Sequence, residues 1–247
     1  MKVLDNLLST LWNGEIIQVC IGLHWTAVVA EIDGEIRCGL ASSLTNECYR
    51  HGVPDVPQAG QLETLSGLEL AALAWSEQPV LASVGVAAVN ALIPPQPAAW
   101  VDLNAEEVIA EHGEGKTVVL IGHFPFIPRL RTRVGELIVL EKRPEPGDLS
   151  AKAAFSVIPD AGVVAITGTT LINRTLDDLL ELCSPEAHVI LLGPSVPLSP
   201  VLFDYGIELL CGSVVTAIEP VLKTVIQAGN FPQVHRAGVR LVSMAQK

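Results

Sequence analysis

Apolar positions change their spacing several times along the chain, and each change marks an element. Val3, Leu4, Leu7, Leu8 and Leu11 recur every three or four positions, which predicts an amphipathic helix over 2–12, stopped by Asn13-Gly14. Three β-rich runs follow, over 15–22, 24–32 and 35–41. Asp33-Gly34, between the second and third, is a two-residue hairpin signal, so the runs predict an antiparallel meander. Residues 42–61 are polar with many Pro and Gly, and predict a loop. Ser66 and Glu69 form a capping box before a helix to about Trp75. Val80 to Ile93 predicts a buried helix, with Gly85, Ala87, Ala88 and Ala91 supplying small surfaces for close packing.

Pro94, Pro95 and Pro97 stiffen the next stretch, and Asn104 with Glu107 is a second cap signature before a helix to about His112. Beyond Lys116 the pattern alternates. Short continuous apolar runs at 117–121, 136–140, 162–166, 188–192 and 207–210 are the mark of strands buried on both faces. Helices are expected at 126–134 and 150–158, then at 176–183 with Thr175 as cap. A last helix, with Pro220 in its first turn, should run to about Ala228. Such alternation builds a doubly wound α/β fold, a parallel sheet with helices on both faces. The change of pattern near residue 100 divides the chain into 1–100, an α+β domain, and 101–247, an α/β domain. A single continuous domain is the alternative.

Composition narrows the function classes. Hydrophobic residues make up 49% and charged residues 17%, enough to build cores and too apolar for disorder. The formal net charge of −12 argues against nucleic acid and against anionic membrane surfaces. Mean hydropathy is positive, +0.44, yet no apolar run reaches the roughly 18 residues of a spanning helix. The opening MKVLDNLLSTLW lacks the apolar core and cleavage site of a signal peptide, so a cytoplasmic location is expected. Cys20, Cys38, Cys48, Cys183 and Cys211 are odd in number and scattered, which does not suggest a disulfide framework. A homodimer is expected from the apolar content alone.

Candidate chemistry gathers at the strand ends. Gly122-His123-Phe124, Glu141, Thr167-Gly168-Thr169-Thr170 with Asn173, and Gly193-Pro194-Ser195 all follow predicted parallel strands, whose carboxyl ends converge on one edge. Glycine there allows close approach. Hydroxyls and free helix amides there suit a small polar or anionic ligand. The plain alternative is a set of ordinary turns. His123 could serve as general base, metal ligand or hydrogen-bonded structural residue. Glu141 lies 19 residues after Gly122, where dinucleotide folds place a ribose-binding acid. A nucleotide- or cofactor-dependent transferase or oxidoreductase is therefore an alternative function, although G-x-G-x-x-G and a P-loop are missing and Phe124-Pro125 would crowd a pyrophosphate. Cys20 with His24, and Cys48 with His51, could bind a transition metal or be buried thiols with incidental histidines. Ser195 lacks the G-x-S-x-G elbow of a hydrolase nucleophile. Asn90, a polar residue near the end of a buried helix, is a candidate from the other domain or a satisfied internal amide.

IGHFPF (121–126), EKRPEPGD (141–148), AITGTTLINRTLDDLL (165–180) and LLGPSVPLSPVLFDYGIELLCG (191–212) together resemble the "putative heavy-metal chelation" family, a domain of unknown function. GLHWTAV (22–28) and ASVGVAAVNALI (82–93) are similar to the domain that accompanies it. The resemblance covers nearly the whole chain. It implies an N-terminal domain like that of enolase, a Rossmann-like C-terminal domain and a site in the cleft between them. On this chain it implicates His123, Glu141, Thr167, Thr169 and Asn173; His123 and Glu141 are expected to be metal ligands, other ligand contacts or acid/base groups. A transition metal held partly by a bound small molecule suits these residue types.

Overall fold

Asp33 and Gly34 take positive φ angles of 52° and 82°, the conformation of the tight hairpin their sequence announces. They join β2 (Trp25–Ile32) to β3 (Glu35–Ser42), and β1 (Glu15–Ile21) completes a three-stranded antiparallel sheet in the order β1-β2-β3. This computed structural model describes residues 2–46 and 52–246. The first helix, α1, is Lys2–Ser9, shorter than its apolar pattern. In α2 (Gly67–Ala72) both bonds of the Ser66–Glu69 capping box are made.

The pivot of the packing is α3 (Pro79–Leu92). All its residues from Val80 to Val89 are buried, because it lies on β2 and β3 and also touches α7 (Thr169–Ile172), which precedes Asn173. Small residues make this possible. A side chain at Gly39 would collide with the α3 backbone at Ala87 and Ala91, and one at Gly85 with the backbone of Ala74. The resulting core is continuous from Val28 and Ala87 through Val119, Ile166 and Leu191.

The second sheet has eight strands. They are β4 (Trp100–Val101), β5 (Thr117–Ile121), β6 (Glu136–Glu141), β7 (Leu149–Ser150), β8 (Val163–Thr167), β9 (His188–Leu192), β10 (Leu209–Val215) and β11 (Val239–Ala245). Their order is β4-β11-β10-β9-β8-β5-β6-β7. From β10 to β7 every pairing is parallel, and the chain moves from β5 to β6 on one side and to β8, β9 and β10 on the other. The sheet is therefore doubly wound, with its switch point between β5 and β8. Val119 and Ile121 face the central core, and Val118 and Leu120 face a second cluster with Ile109 of α4 (Ala105–His112) and Leu130 of α5 (Ile127–Leu130). Burial on both faces explains the unbroken apolar runs.

Three expectations need correction. The sheet is not wholly parallel: β11 and β4 are antiparallel additions. The helix expected over 150–158 is a 3-10 turn followed by α6 (Ala154–Val157). The cap on α8 (Leu176–Glu181) is not the Thr175 side chain, whose hydroxyl donates instead to Asn173 Oδ1 at 2.6 Å. Two elements lie beyond the expected last helix, now α9 (Ile218–Ile226): α10 (Phe231–Gly238) and β11. The pair α9–α10 packs on the outer face of the small sheet, Val221 and Val225 meeting Trp25, Ala27 and Val29. The last part of the chain thus covers the first. No helix among the described residues is long and apolar enough to cross a membrane.

Candidate functional site

The carboxyl ends of β5, β6, β8 and β9 open into one cavity of 620 Å³. Gly122, His123, Phe124, Glu141, Thr167, Gly168, Thr169, Thr170, Asn173, Gly193, Pro194 and Ser195 all line it. Gly122 (φ 109°) and Gly193 (φ 114°) each end a strand in a backbone conformation that side chains oppose, and this turns the chain sharply along the cavity wall. Asn90 is not in this cavity. Its amide donates to Leu40 O at 2.9 Å and Ser195 O at 3.3 Å, and it lines a separate cavity of 200 Å³.

Hydroxyls that the sequence offers to a ligand are largely engaged in the turns themselves. Thr170 Oγ1 donates to Thr167 O at 2.7 Å, and Thr169 Oγ1 and Thr169 N both donate to Thr167 Oγ1. The backbone amides of Gly122, Gly168 and Gly193 donate to Leu140 O, Leu192 O and Cys211 O. The expected cradle of free amides is therefore not formed at these three positions, and α7 has only four residues. Ser195 is 1% exposed; its Oγ accepts from Ser42 N at 2.9 Å and donates to Ser42 Oγ at 3.2 Å, pinning β3 to the turn after β9.

The other wall is freer. His123 Nδ1 lies 3.3 Å from Asp148 Oδ2, and its Nε2 lies 3.8 Å from Glu145 Oε2. Asp148 is 3% exposed and also accepts from Glu145 N, so the loop after β6 holds it in place. A buried carboxylate on Nδ1 favours the tautomer with the proton there, which leaves the lone pair on Nε2. Glu141 Oε2 accepts only from Lys142 N, at 2.9 Å, among the described residues. Sequence reasoning missed Asp148, Trp25, Ser42, Lys142 and the Phe231-Pro232 start of α10, all but Asp148 lining the cavity. One signal for α10 was present: Asn230 and Gln233 form a capping box. Trp25 stacks obliquely on Phe231 at 5.4 Å, and its indole Nε1–H is buried with no partner among the described residues.

Soft metal ligands are not assembled here. Among the described residues no three His, Cys, Asp or Glu side chains could hold a metal ion. None of Cys20, Cys38, Cys183 or Cys211 lines the cavity. Burial disfavours the thiolate at each of them: Cys38 is pushed up to about 12, Cys183 and Cys211 to about 11, and Cys20 upward with help from Glu63. A thiolate, not a thiol, binds a heavy metal. Cys48 and His51 lie outside the described residues. The described side chains therefore do not fit a heavy metal held by protein sulfur.

A doubly wound sheet with a lined cavity at its switch point, roofed by a small antiparallel sheet, defines a two-sheet α/β protein. The chain belongs to the DUF364 family, described as "Putative heavy-metal chelation", whose model matches residues 104–244. A second model with the same description, DUF4213, matches residues 4–93. Uncharacterized protein MJ0500 of Methanocaldococcus jannaschii is 28% identical over 218 residues, 84% of this chain and 82% of that one. A crystal structure of a DUF364 protein of unknown function from Desulfitobacterium hafniense superposes with a TM-score of 0.80. It has 25% identity and covers 99% of this chain and 97% of the other. A DUF364 protein of unknown function from Pyrococcus horikoshii shares the fold, with a TM-score of 0.78, 21% identity and the same coverage.

Proposed function

We propose that the chain binds a small polar or anionic molecule, or a metal complex of one, in the 620 Å³ cavity, with His123 and Glu141 as its polar contacts. The observation that carries this reading is the meeting of four strand-end turns around one cavity at the switch point, the edge where open α/β sheets bind ligands. Its volume falls within the range of small-molecule sites, about 300–1,000 Å³. With the boundary placed near residue 100, the cavity is an interdomain cleft: Trp25, Ser42 and Leu44 form one side and the strand ends the other. Trp25 brings a buried donor that no described acceptor satisfies. His123, held at Nδ1 by Asp148, brings its imidazole to the cavity lining.

The family description is accommodated by treating the metal as cargo. Among the described residues the cleft offers imidazole, carboxylate and hydroxyl groups and no thiol, so a heavy metal would arrive with most of its donors supplied by the ligand. Thermal unfolding across a metabolite panel tests the binding reading. A ligand at a hundred times its Kd stabilises the folded state by about 2.7 kcal/mol. The protected wild type should lose that protection in His123→Ala and Glu141→Gln. Equal protection of wild type and both variants would place the ligand elsewhere.

A further inference from the structure

A second cavity, of 610 Å³, adjoins the cleft and shares Leu44, Glu141, Lys142 and Asn173 with it. The two differ in character. The first has Trp25, Phe124 and Phe231 in its lining; among the described residues the second is lined by Lys142, Arg143 and Arg174 together with Glu77 and Glu141. The chain carries only 15 Lys and Arg among 247 residues and a net charge of −12, so three of these side chains lining one hollow are a local concentration of cationic groups. Arg174 follows the end of α7 in the left-handed conformation, φ +60°, where Thr175 N donates to Thr170 O at 2.9 Å, and its Nη1 donates to Trp75 O at 3.2 Å. Lys142 stands at the junction of the two hollows.

Resting on the binding reading above, we infer the class of the ligand. It is an elongated molecule with a flat, largely apolar body in the first cavity and an anionic end group beside Lys142 and Arg174 in the second. Neither hollow alone accounts for both features: the aromatic side chains belong to one and the arginines to the other.

A matched pair of dyes tests this directly: N-phenyl-1-naphthylamine, which is uncharged, and 8-anilinonaphthalene-1-sulfonate, which adds an anionic group to the same skeleton. Binding to the full chain is followed by dye fluorescence. The sulfonate should bind about tenfold more tightly or better, the scale of a charge-assisted contact. Lys142→Gln and Arg174→Gln should each reduce that preference several-fold and leave the affinity of the neutral dye unchanged, and added salt should reduce it in the wild type. Ala154→Trp or Ala151→Trp, which fill the first cavity from its rim, should expel both dyes. Equal affinities for the two dyes, or a preference that survives both charge variants, overturns the anionic-end inference. If both dyes are nevertheless expelled by the tryptophan variants, the cleft reading stands without it. Failure of both dyes to bind, or binding indifferent to the tryptophan variants, overturns both.

Discussion

The two walls of the cleft use their polar side chains to opposite ends. After β8 and β9, the polar side chains turn inward: Thr170 is 2% and Ser195 1% exposed, and their hydroxyls close the turns or pin β3. After β5 and β6, His123 is 42% exposed and Glu141 and Lys142 face the two connected hollows. A buried hydroxyl must find a partner, and the nearest is the backbone of its own turn. A histidine at a cavity rim, steadied by one buried aspartate, keeps a nitrogen for something else. Polarity at a strand end therefore does not by itself identify a binding group; what matters is whether the turn has already used it.

Substitutions can break this contrast in order of effect on stability. The scaffold under both walls should fail first: Gly39→Ala drives a methyl into the α3 backbone, and overpacking of this kind costs about 3 kcal/mol or more, visible as a large fall in the urea midpoint. Ser195→Ala leaves Ser42 N without its acceptor and should cost about 1–3 kcal/mol while changing ligand affinity less than His123→Ala does. Alkaline pH probes the thiols. Their folded values lie above the ordinary 9.0, so the stability they contribute is complete below pH 9.0 and is lost as pH rises toward 11–12. Cys38 alone should account for roughly 1.4 kcal/mol per pH unit in that window, a slope that Cys38→Ala removes. The smallest effect on stability belongs to the working wall: His123→Ala should move the midpoint by no more than about 0.5 kcal/mol, while ligand binding is lost. A large loss of stability in His123→Ala would erase the distinction between the walls.

Much of this was legible in the chain. Strands β5 and β9 fall on their predicted residues because strands buried on both faces leave unbroken apolar runs with polar ends. The converging turns followed from strand-helix alternation alone. What escaped was non-local. Asp148 reads as one more loop acid, and only the fold brings it to His123 across 25 residues. Trp25 and Phe231 meet in the cleft from opposite ends of the sequence because α9 and α10 wrap the small sheet. Asn90 read as a site candidate or a satisfied internal amide, and its amide bridges Leu40 and Ser195. A sequence pattern shows which groups arrive at an edge; it does not show which bonds they make there.

The most direct test is native mass spectrometry with elemental analysis, on protein purified without an affinity tag and on the same protein stripped of small molecules and titrated with Cd²⁺. The account predicts that any stoichiometric metal in the purified protein travels with an organic adduct, that both are lost in His123→Ala, and that the stripped protein takes up no stoichiometric Cd²⁺. One Cd²⁺ per chain bound by the stripped protein, with the ultraviolet absorbance of a cadmium–thiolate bond, would contradict it and place the metal on protein sulfur.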